Sequence, residues 1–528
     1  MTTETAAPHR SSLPPGRDSF WHLVHAEWTK FRTVRGWVIA ALVTIVAITA
    51  FVFVASDASR SCAGPGGPSA SPTQPTGPGG APVIDAFYFA HQPVTGSGTI
   101  TVQLTSLAGQ VEVGPAGPGA PQLAPGLAPW SKAGIIIKEN TSAGSAYAAM
   151  MVTGSNGVRM QWDYVNDTPG LTGGVSASAP RWLRLVRDGG TITGYDSADG
   201  AHWRLVGTAT LPGLTATVQA GLFAAGSFYA SDSCTYDSNF CTRATGVFRH
   251  IGLSWPATGW TGTNVGGPNF GLPGPGTFRQ SAGALTIASF GDIGPAAGDA
   301  FGGSGLSLQR ALAGTFFGMI PLIVAAAMFI TAEYRRRLIW VSLTAVPRRG
   351  RLLAAKAVVI GAVGFAAGLV AAALAIAVGL PLLGRAGPLA WPVSLLTEAR
   401  LVVGTGALLA LAAVLALAIG TIVRRSAPAV ALAIAVIIVP YLFSFGPLAG
   451  RQAQGSGPGG GGGWPLRFTP AAALSVQQAV PQFHQLAALY SLQAGYYPLA
   501  PWAGLAVECG WAAVALALAF FLLRRRDA

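Results

Sequence analysis

Six runs of apolar residues in this chain are each long enough to cross a lipid bilayer as a helix. A hydrocarbon core about 30 Å thick takes about 20 helical residues to span. Only 10% of the residues are charged, compared with about a quarter in soluble globular proteins. We therefore predict an α-helical polytopic membrane protein with six transmembrane helices, over residues 37–54, 311–331, 357–383, 401–423, 427–447 and 502–523.

The basic residues are distributed unequally between the two sides of these spans. Seventeen Lys and Arg residues fall in the N-terminal arm, the 332–356 loop, the 424–426 turn and the C-terminal tail, whereas five fall in or beside the opposite loops. Cytoplasmic segments of membrane proteins are enriched in Lys and Arg. We therefore predict a multi-pass protein of the cell membrane, with both termini cytoplasmic and residues 55–305 extracellular. This distribution also explains the net charge of +13 and disfavours nucleic-acid binding, which needs a basic face.

The long segment between the first two spans divides into a linker and a β-rich domain. Residues 55–81 are rich in Pro, Gly and Ser, which is typical of a flexible linker. From 82 to 305, short alternating runs such as "GTITVQL" and "WLRLVRDGGTITGYDS" are separated by Gly-rich turns. This pattern predicts an all-β sandwich inserted between helices 1 and 2. Cys234 and Cys241 are a candidate disulfide in this extracellular segment, and the pairing of Cys62 stays open.

The rest of the chain divides as follows. Residues 1–36 are predicted to be a cytoplasmic arm that ends in an interfacial helix, followed by transmembrane helix 1. Residues 306–528 hold helices 2–6, with a cytoplasmic loop at 332–356 and an external loop at 448–501. The external loop contains a weakly amphipathic stretch after a Gly-rich run, and we expect one or two helices lying at or dipping into the outer interface.

The cytoplasmic loop "TAEYRRRLIWVSLTAVPRRGRLLAAK" carries residues in an order that topology alone does not require. An acidic residue and a tyrosine stand at the membrane border, followed by three arginines, a short amphipathic stretch ended by a proline, and a second basic cluster. One interpretation is that the arginines hold the loop inside and bind anionic lipid head groups. The other is that the short helix docks on a soluble partner. The residues are Glu333, Tyr334, Arg335, Arg336, Arg337, Pro347, Arg348 and Arg349.

The segment before the first span, "SFWHLVHAEWTKFRTVRG", predicts an amphipathic helix at the inner interface. Its apolar residues Phe20, Val24, Trp28 and Phe31 recur at helical spacing, and Lys and Arg lie between them. A generic membrane anchor would have the same pattern, so this helix alone does not indicate a function.

Neither a phosphate-binding loop nor a metal-protease motif occurs in the sequence. The patterns G-x-x-x-x-G-K-[ST] and H-E-x-x-H are both absent. We therefore expect no enzymatic activity, no metal site and no cofactor in this chain. If the protein moves a substrate actively, another polypeptide must bind the ATP and Mg²⁺.

The segments "AEWTKFRTVRGW" and "ITAEYRRRLIWVSLTAVPRRGRLLAAK" resemble the permease subunits of ABC-2-type transporters. The resemblance covers residues 20–54 and 306–528. It implies that the loop after the second span carries a coupling helix, here Glu333–Arg351, that seats on a separate ATP-binding subunit. It also implies a working unit of two permeases, identical or not, and two ATPases, and we expect export. The inserted domain departs from the family pattern.

The inserted domain has its own resemblance, to concanavalin A-like and laminin-G-like sandwiches of the DUF1349-like type. It rests on "WSKAGIIIKENTSAGSAYAAMMVTGSNGVRMQWDY" and the strands that follow. Such folds often bind sugars on aromatic faces, which makes an extracellular glycan an expected partner. Trp182 and Trp203 alternate with Leu and Val and are expected in the core. The rings expected to contact a glycan are Trp130, Trp162, Tyr164 and Tyr195.

One carboxylate, Glu508, falls inside the last predicted span and is a functional candidate, because charged groups within a membrane are costly. The sequence leaves open the substrate, the transport direction and any Ca²⁺ binding. An alternative function is a membrane-anchored extracellular glycan receptor or sensor without transport. Six spans are more than such an anchor requires.

Overall fold

The computed structural model consists of a helical bundle and a large β domain. It describes residues 19–61, 75–113, 122–229, 240–266, 275–296, 308–336, 348–385, 391–442, 464–479, 483, 485 and 499–525.

The bundle is built from helices on both sides of the β domain in sequence. The α-helices are α1 Phe20–Thr33, α2 Arg35–Ser61, α3 Leu308–Ala311, α4 Thr315–Arg335, α5 Arg349–Arg385, α6 Leu395–Val423, α7 Ser426–Ile437, α8 Val439–Leu442 and α9 Pro501–Arg525. Two 3₁₀ helices, Trp464–Phe468 and Pro470–Gln477, precede α9.

Five of the described helices are long and apolar enough to cross a membrane, namely α2, α4, α5, α6 and α9. The remaining predicted span, 427–447, is occupied by the shorter α7 and α8, and residues 443–447 lie outside the described residues. The predicted fold class, a polytopic helical protein with an inserted β domain, is confirmed. The count of six spans stays a prediction.

Helix α6 lies at the centre of the bundle, in contact with α4, α5, α7 and α9. Small residues let α5 approach it closely: a Cβ at Gly364 or at Gly368 would lie 2.8 Å from a carbonyl oxygen of α6. Such small residues are typical of helix packing in membranes, where close backbone contact rather than the hydrophobic effect holds helices together. The backbones of α5 and α6 are therefore in close contact along this stretch.

The β domain is an antiparallel sandwich, as predicted. One sheet has the strand order β16-β2-β12-β5-β6-β7-β8, and the other has the order β11-β10-β9-β3-β15-β18-β17, with β4 beside β3. The strands are β1 Val83–Asp85, β2 Phe87–Thr95, β3 Gly98–Val113, β4 Gln122–Pro125, β5 Lys132–Lys138, β6 Tyr147–Thr153, β7 Val158–Trp162, β8 Asn166–Pro169, β9 Arg181–Asp188, β10 Thr191–Ser197, β11 Arg204–Thr210, β12 Thr217–Ala225, β13 Phe228–Tyr229, β14 Phe240–Cys241, β15 Arg243–Leu253, β16 Thr261–Val265, β17 Thr277–Ser281, β18 Ala284–Ser289 and β19 Ile293–Pro295.

The first and last strands of the domain lie side by side. β1 pairs antiparallel with β19, so that Val83 is opposite Pro295. Because the entry and the exit of the domain meet in this pair, both connections to the bundle leave from one end of the sandwich.

Two loops of the bundle contact that part of the domain. The indole Nε1 of Trp391 donates to the backbone oxygen of Ala296 (2.7 Å), and the side-chain amide of Gln485 donates to the backbone oxygen of Tyr164 (2.9 Å). The ring of Trp391 also packs against Phe483, with a centroid separation of 5.3 Å. The β domain is therefore seated on the bundle rather than joined to it only through the chain.

Candidate coupling site at the basic end of the bundle

The end of the bundle opposite the β domain carries the basic residues, and we call it the basic end. It comprises α1, the start of α2, the end of α4, the start of α5, the turn between α6 and α7, and the end of α9. Helix α1 packs against α5 there. The two ends of the predicted coupling loop, one in α4 and one in α5, lie at this end as well.

The four apolar residues predicted for α1 differ in how far they are buried against the bundle. Phe31 is buried, with its ring near those of Phe329 and Trp37 (centroids 6.1 and 6.3 Å apart). Val24 packs against the bundle core, whereas the ring of Trp28 is 43% exposed and stacks on Phe31. Phe20, at the start of the helix, is half-buried beside Trp21. One face of α1 is therefore bound to the bundle and the other is open, as an interfacial helix requires.

Four charged side chains, two from α1 and one each from α4 and α5, meet between these three helices. Lys356 of α5 contacts Glu27 of α1 and Glu333 of α4, each with an N–O distance of 2.7 Å. Lys30 of α1 contacts the same two carboxylates, at 2.6 Å from Glu27 and 3.2 Å from Glu333. We call these four residues the charge cluster. Its two acids and two bases make it formally neutral.

Most of the charge cluster is shielded from solvent. Lys356 is 0% exposed, Glu27 1% and Glu333 7%. The ammonium group of Lys356 also lies 4.7 Å from the ring centroid of Phe329, a cation–π distance. Removing one partner of a buried ion pair leaves an uncompensated charge and costs about 3–5 kcal/mol. The buried Lys356 therefore holds α1, α4 and α5 together through its two carboxylate partners.

Lys30 differs from Lys356 in its access to solvent, since its side chain is 41% exposed. Partial burial lowers the pKa of Lys30, but the hydrogen bonds and charges of Glu27 and Glu333 outweigh this effect, so the net shift is upward. The folded protein therefore favours the charged form of Lys30.

The charge cluster joins the two ends of the predicted coupling loop. Glu333 lies just before residues 337–347, which are outside the described residues, and Lys356 lies shortly after them. The direct contact between Glu333 and Lys356 closes the base of the loop, and Glu27 attaches that base to α1. A force applied to the loop would therefore reach three helices at once.

The other predicted coupling residues lie around this base. Tyr334 is half-buried, and the guanidinium of Arg424 lies 5.3 Å from its ring centroid. Arg335 and Arg336 are exposed at the end of α4. Arg348 is exposed, and Arg349 donates from Nη1 to the backbone oxygen of Leu523 (2.7 Å). Arg337 and Pro347 lie outside the described residues.

Sequence reasoning missed Glu27 and Lys30 as site residues, and it counted Lys356 only as a topology signal. A usable signal was present: Glu27 is the only acidic residue of α1 and precedes Phe31 by four positions, which places it on the buried face. An acidic residue on an apolar helix face indicates a buried partner such as a lysine, because an unpaired charge there is costly.

Two of the four rings expected to contact a glycan are not available. Tyr164 is 0% exposed, and its hydroxyl donates to Asp85 (2.7 Å) and accepts from Lys138 (3.0 Å). Trp130 is 6% exposed and lies near the guanidinium of Arg159. The prediction for Tyr164 and Trp130 is therefore wrong, because their faces are covered by the domain itself. Trp162 and Tyr195 are half-buried.

The expectation that Trp182 and Trp203 lie in the core is also wrong. In β9 the buried positions are Leu183 and Leu185, so Trp182 points to the opposite face and stacks on His250 (centroids 5.6 Å apart). The guanidinium of Arg184 lies 3.7 Å from the ring centroid of Trp203. Both rings are half-buried, with one face already in contact with another side chain.

The remaining predicted residues lie elsewhere. Glu508 is 1% exposed, in the part of α9 that packs on the second 3₁₀ helix and α6, and its Oε2 has no hydrogen-bond partner among the described residues. Cys509 is exposed on the surface of α9. Cys62 and Cys234 lie outside the described residues, as does the side chain of Cys241, so the disulfide stays a prediction.

Comparison with solved structures finds several weak likenesses. They include a functionally unknown protein from Saccharomyces cerevisiae (15% identity, 32% of this chain and 74% of that one, TM-score 0.20). They also include a mutant of the GH43 protein BlXynB from Bacillus licheniformis (12% identity, 32% of this chain and 27% of that one, TM-score 0.17) and scytalido-glutamic peptidase (6% identity, 39% and 98%, TM-score 0.24). At these TM-scores they carry no argument about fold or function. No curated protein matches the chain significantly.

Comparison with family models gives a match that covers most of the chain. The model described as "ABC-2 family transporter protein" matches residues 165–528, which include all the helices from α3 to α9. The resemblance seen in the cytoplasmic loop therefore extends over α3 to α9, whereas α1 and α2 precede the matched residues. The chain belongs to the ABC-2 transporter family, as a membrane-embedded permease of an ABC-2-type transporter.

Proposed function

We propose that this chain is the membrane-spanning subunit of an ATP-driven exporter, energised by a separate ATP-binding subunit at the basic end. The observation that carries the proposal is the charge cluster, which ties the base of the 332–356 loop to α1, α4 and α5. The sequence has no nucleotide-binding motif of its own, so ATP and Mg²⁺ belong to the partner. Two permeases and two ATP-binding subunits form the working unit, and both termini are cytoplasmic.

The proposed coupling begins at residues 337–347 and at the exposed arginines beside them, Arg335 and Arg336. When ATP closes the partner subunits, they displace this loop. Because Glu333 and Lys356 are bound to each other and to Glu27, the displacement moves the ends of α4 and α5 together with α1. Both α4 and α5 pack on α6, so a rigid shift of this group changes the packing along the bundle, as in other domain-closure mechanisms.

The opposite end of the bundle is closed by the second 3₁₀ helix, Pro470–Gln477, all of whose residues are buried. The side-chain amide of Gln477 donates to the hydroxyls of Thr315 in α4 (2.8 Å) and Thr405 in α6 (3.0 Å). In the proposed cycle these bonds break when the cavity opens outward. Glu508 lies on the same side of α9 as Gly504, which contacts this 3₁₀ helix, and so borders the exit.

The β domain is proposed to be an extracellular accessory module at this exit. Its contacts with two loops of the bundle, through Trp391 and Gln485, support this position. A lectin-like role has less support, because two of the four expected sugar-contacting rings are buried. No observation favours the alternative function, a membrane-anchored glycan receptor without transport. A simple membrane anchor would also have no evident use for the charge cluster.

Co-purification tests the proposal. The tagged chain is expressed with candidate ATP-binding cassette proteins from the same genome, and the bound partner and its ATP hydrolysis are measured. We expect a stable complex with the wild-type chain and at least about a tenfold loss of partner from Arg335→Glu/Arg336→Glu, because charge reversal at a rim reduces association. Arg425→Glu, on the same side but outside the loop, is the matched control. A folded wild-type chain that retains no ATP-binding partner would refute the proposal.

A further inference from the structure

Glu508 is a buried carboxylate of the bundle that the proposed coupling does not use. It lies in α9 and is 1% exposed, and its Oε2 has no hydrogen-bond partner among the described residues. The buried acids of the charge cluster, Glu27 and Glu333, each contact two lysines. Within the described part of the chain, Glu508 is therefore a buried acid without an ion pair, at a depth where ionisable residues are rare and functional.

The surroundings of Glu508 are apolar. Leu505 and Ala512, about one turn away on either side, are buried in the main hydrophobic core of the bundle. Gly504, one turn nearer the exit, contacts Ala472 of the second 3₁₀ helix, and that 3₁₀ helix contains no charged residue. Glu508 is therefore a single carboxylate in an apolar part of the bundle, one helical turn below the segment that closes the exit.

The described basic side chains do not compensate this carboxylate. The lysines of the charge cluster lie at the opposite end of the bundle. At the exit end, Arg400 of α6 donates to the backbone oxygen of Gln478 rather than to Glu508, and Arg467 of the first 3₁₀ helix forms no ion pair with Glu508 among the described residues. An ionised carboxylate in apolar surroundings is costly unless it is paired, which leaves a proton or a cation that enters the bundle as its partner.

A proton alone satisfies Glu508 less well than a cationic ligand does. It removes the negative charge, but the carboxyl group still has an oxygen with no hydrogen-bond partner among the described residues. A buried polar atom without a partner is destabilising, whether it is a donor or an acceptor. A cationic group with N–H or polarised C–H bonds would offset the charge and contact the oxygen at the same time.

We propose that Glu508 binds the positive charge of the exported substrate, and that this substrate is a lipophilic organic cation, such as an amine or a quaternary ammonium or phosphonium compound. The proposal rests on the proposed function, in which the second 3₁₀ helix closes the exit. Apolar walls with one carboxylate suit such a molecule, because the walls contact its hydrocarbon part and the carboxylate its charge. A hard metal ion would need several oxygen ligands, and the described residues contain no group of three His, Cys, Asp or Glu that could hold one.

The test measures binding of tetraphenylphosphonium, a lipophilic cation, to the full-length chain in phosphatidylcholine nanodiscs. Equilibrium dialysis gives the bound amount, and empty nanodiscs give the background. Tetraphenylborate, with nearly the same size and shape and the opposite charge, is the matched anion. Glu508→Gln keeps the shape of the side chain and removes its charge. Glu398→Gln is the matched control, because Glu398 is a half-buried carboxylate in the first turn of α6, at the same end of the bundle. Thermal unfolding verifies that each variant folds.

We expect the wild type and Glu398→Gln to bind tetraphenylphosphonium above background, and Glu508→Gln to bind it about tenfold more weakly or less. Glu508→Asp keeps the charge on a shorter side chain and should retain part of the binding. Tetraphenylborate should bind no better to the wild type than to Glu508→Gln.

Equal binding of the cation by the wild type and Glu508→Gln would contradict the proposal, and so would a wild type that does not bind it above background. In either case Glu508 would hold only a proton. The measurement contains no ATP-binding subunit, so its failure is distinguishable from a failure of the co-purification test.

Discussion

At the scale of single residues, Lys356 and Lys30 differ in environment although they contact the same two carboxylates. Lys356 has no exposed surface, whereas the side chain of Lys30 is 41% exposed. Water can replace Lys30 as a partner of Glu27 and Glu333, but it cannot reach Lys356. The two lysines therefore form a matched pair for measuring what burial adds to an ion pair.

We predict that Lys356→Met destabilises the protein by about 3–5 kcal/mol, because it leaves two buried carboxylates with only the partly exposed Lys30 as their cation. Lys30→Met should cost about 1 kcal/mol or less, as exposed ion pairs do. Thermal unfolding in nanodiscs compares the two. Adding Glu333→Gln to Lys356→Met should recover much of the loss, since it removes the uncompensated charge. Equal destabilisation by the two single variants would show that the cluster is not buried as described.

The upward pKa shift of Lys30 predicts a pH dependence. Burial opposes this shift, and Glu27 and Glu333 produce it. Because the folded-state pKa exceeds the ordinary value of 10.5, the stabilisation is fully present below that value and is lost as the pH rises through the folded pKa. The difference in unfolding temperature between the wild type and Lys30→Met should therefore be constant from pH 7 to 9 and shrink above pH 10.5. A difference that grows with rising pH would contradict the assignment.

At the scale of elements, the second 3₁₀ helix shows where sequence patterns reach their limit. The weakly amphipathic stretch in the 448–501 loop indicated helices at or dipping into the outer interface. Instead, Pro470–Gln477 is buried among α4, α6 and α9. Its polar residues find partners inside the bundle. Ser475 donates to the backbone oxygens of Ala500 and Pro501, and Gln477 donates to the hydroxyls of two threonines in α4 and α6. Local amphipathicity cannot reveal such distant partners.

Two glycines of α9 test this packing. A Cβ at Gly504 would collide with the backbone oxygen of Ala472 and the hydroxyl of Ser475, whereas one at Gly510 would meet nothing within 4 Å. We predict that Gly504→Ala lowers the unfolding temperature, by an amount equivalent to about 1–3 kcal/mol. Gly510→Ala should be neutral or stabilising by up to about 1 kcal/mol, from helix propensity. Equal effects of the two substitutions would show that the 3₁₀ helix is not packed on α9.

At the scale of the whole molecule, hydropathy and strand alternation were sufficient to predict the fold class. The apolar runs and the alternating strands are local patterns, and the structure contains both. The charge cluster was not predictable in this way, because Glu27 and Lys356 are 329 positions apart. The same holds for the seating of the β domain, which depends on Trp391 and Gln485, two residues of loops with no regular pattern. The proposed function therefore depends on contacts between segments that are far apart in the sequence.

The central claim at this scale is that ATP-driven movement enters the bundle through the charge cluster. The measurement uses the complex with the ATP-binding subunit in nanodiscs. Spin labels are attached at Trp21→Cys in α1 and Arg425→Cys in the α6–α7 turn, in a chain whose four native cysteines are replaced. Both labelled positions are exposed. Adding ATP and vanadate should trap the closed state and shift the distance between the labels.

We predict a clear shift in that distance for the wild-type chain. Glu333→Gln/Lys356→Met, which removes one charge of each sign, should abolish it while the ATP-binding subunit stays bound. An equal shift in this variant, or no shift in a wild-type complex that hydrolyses ATP, would contradict the account.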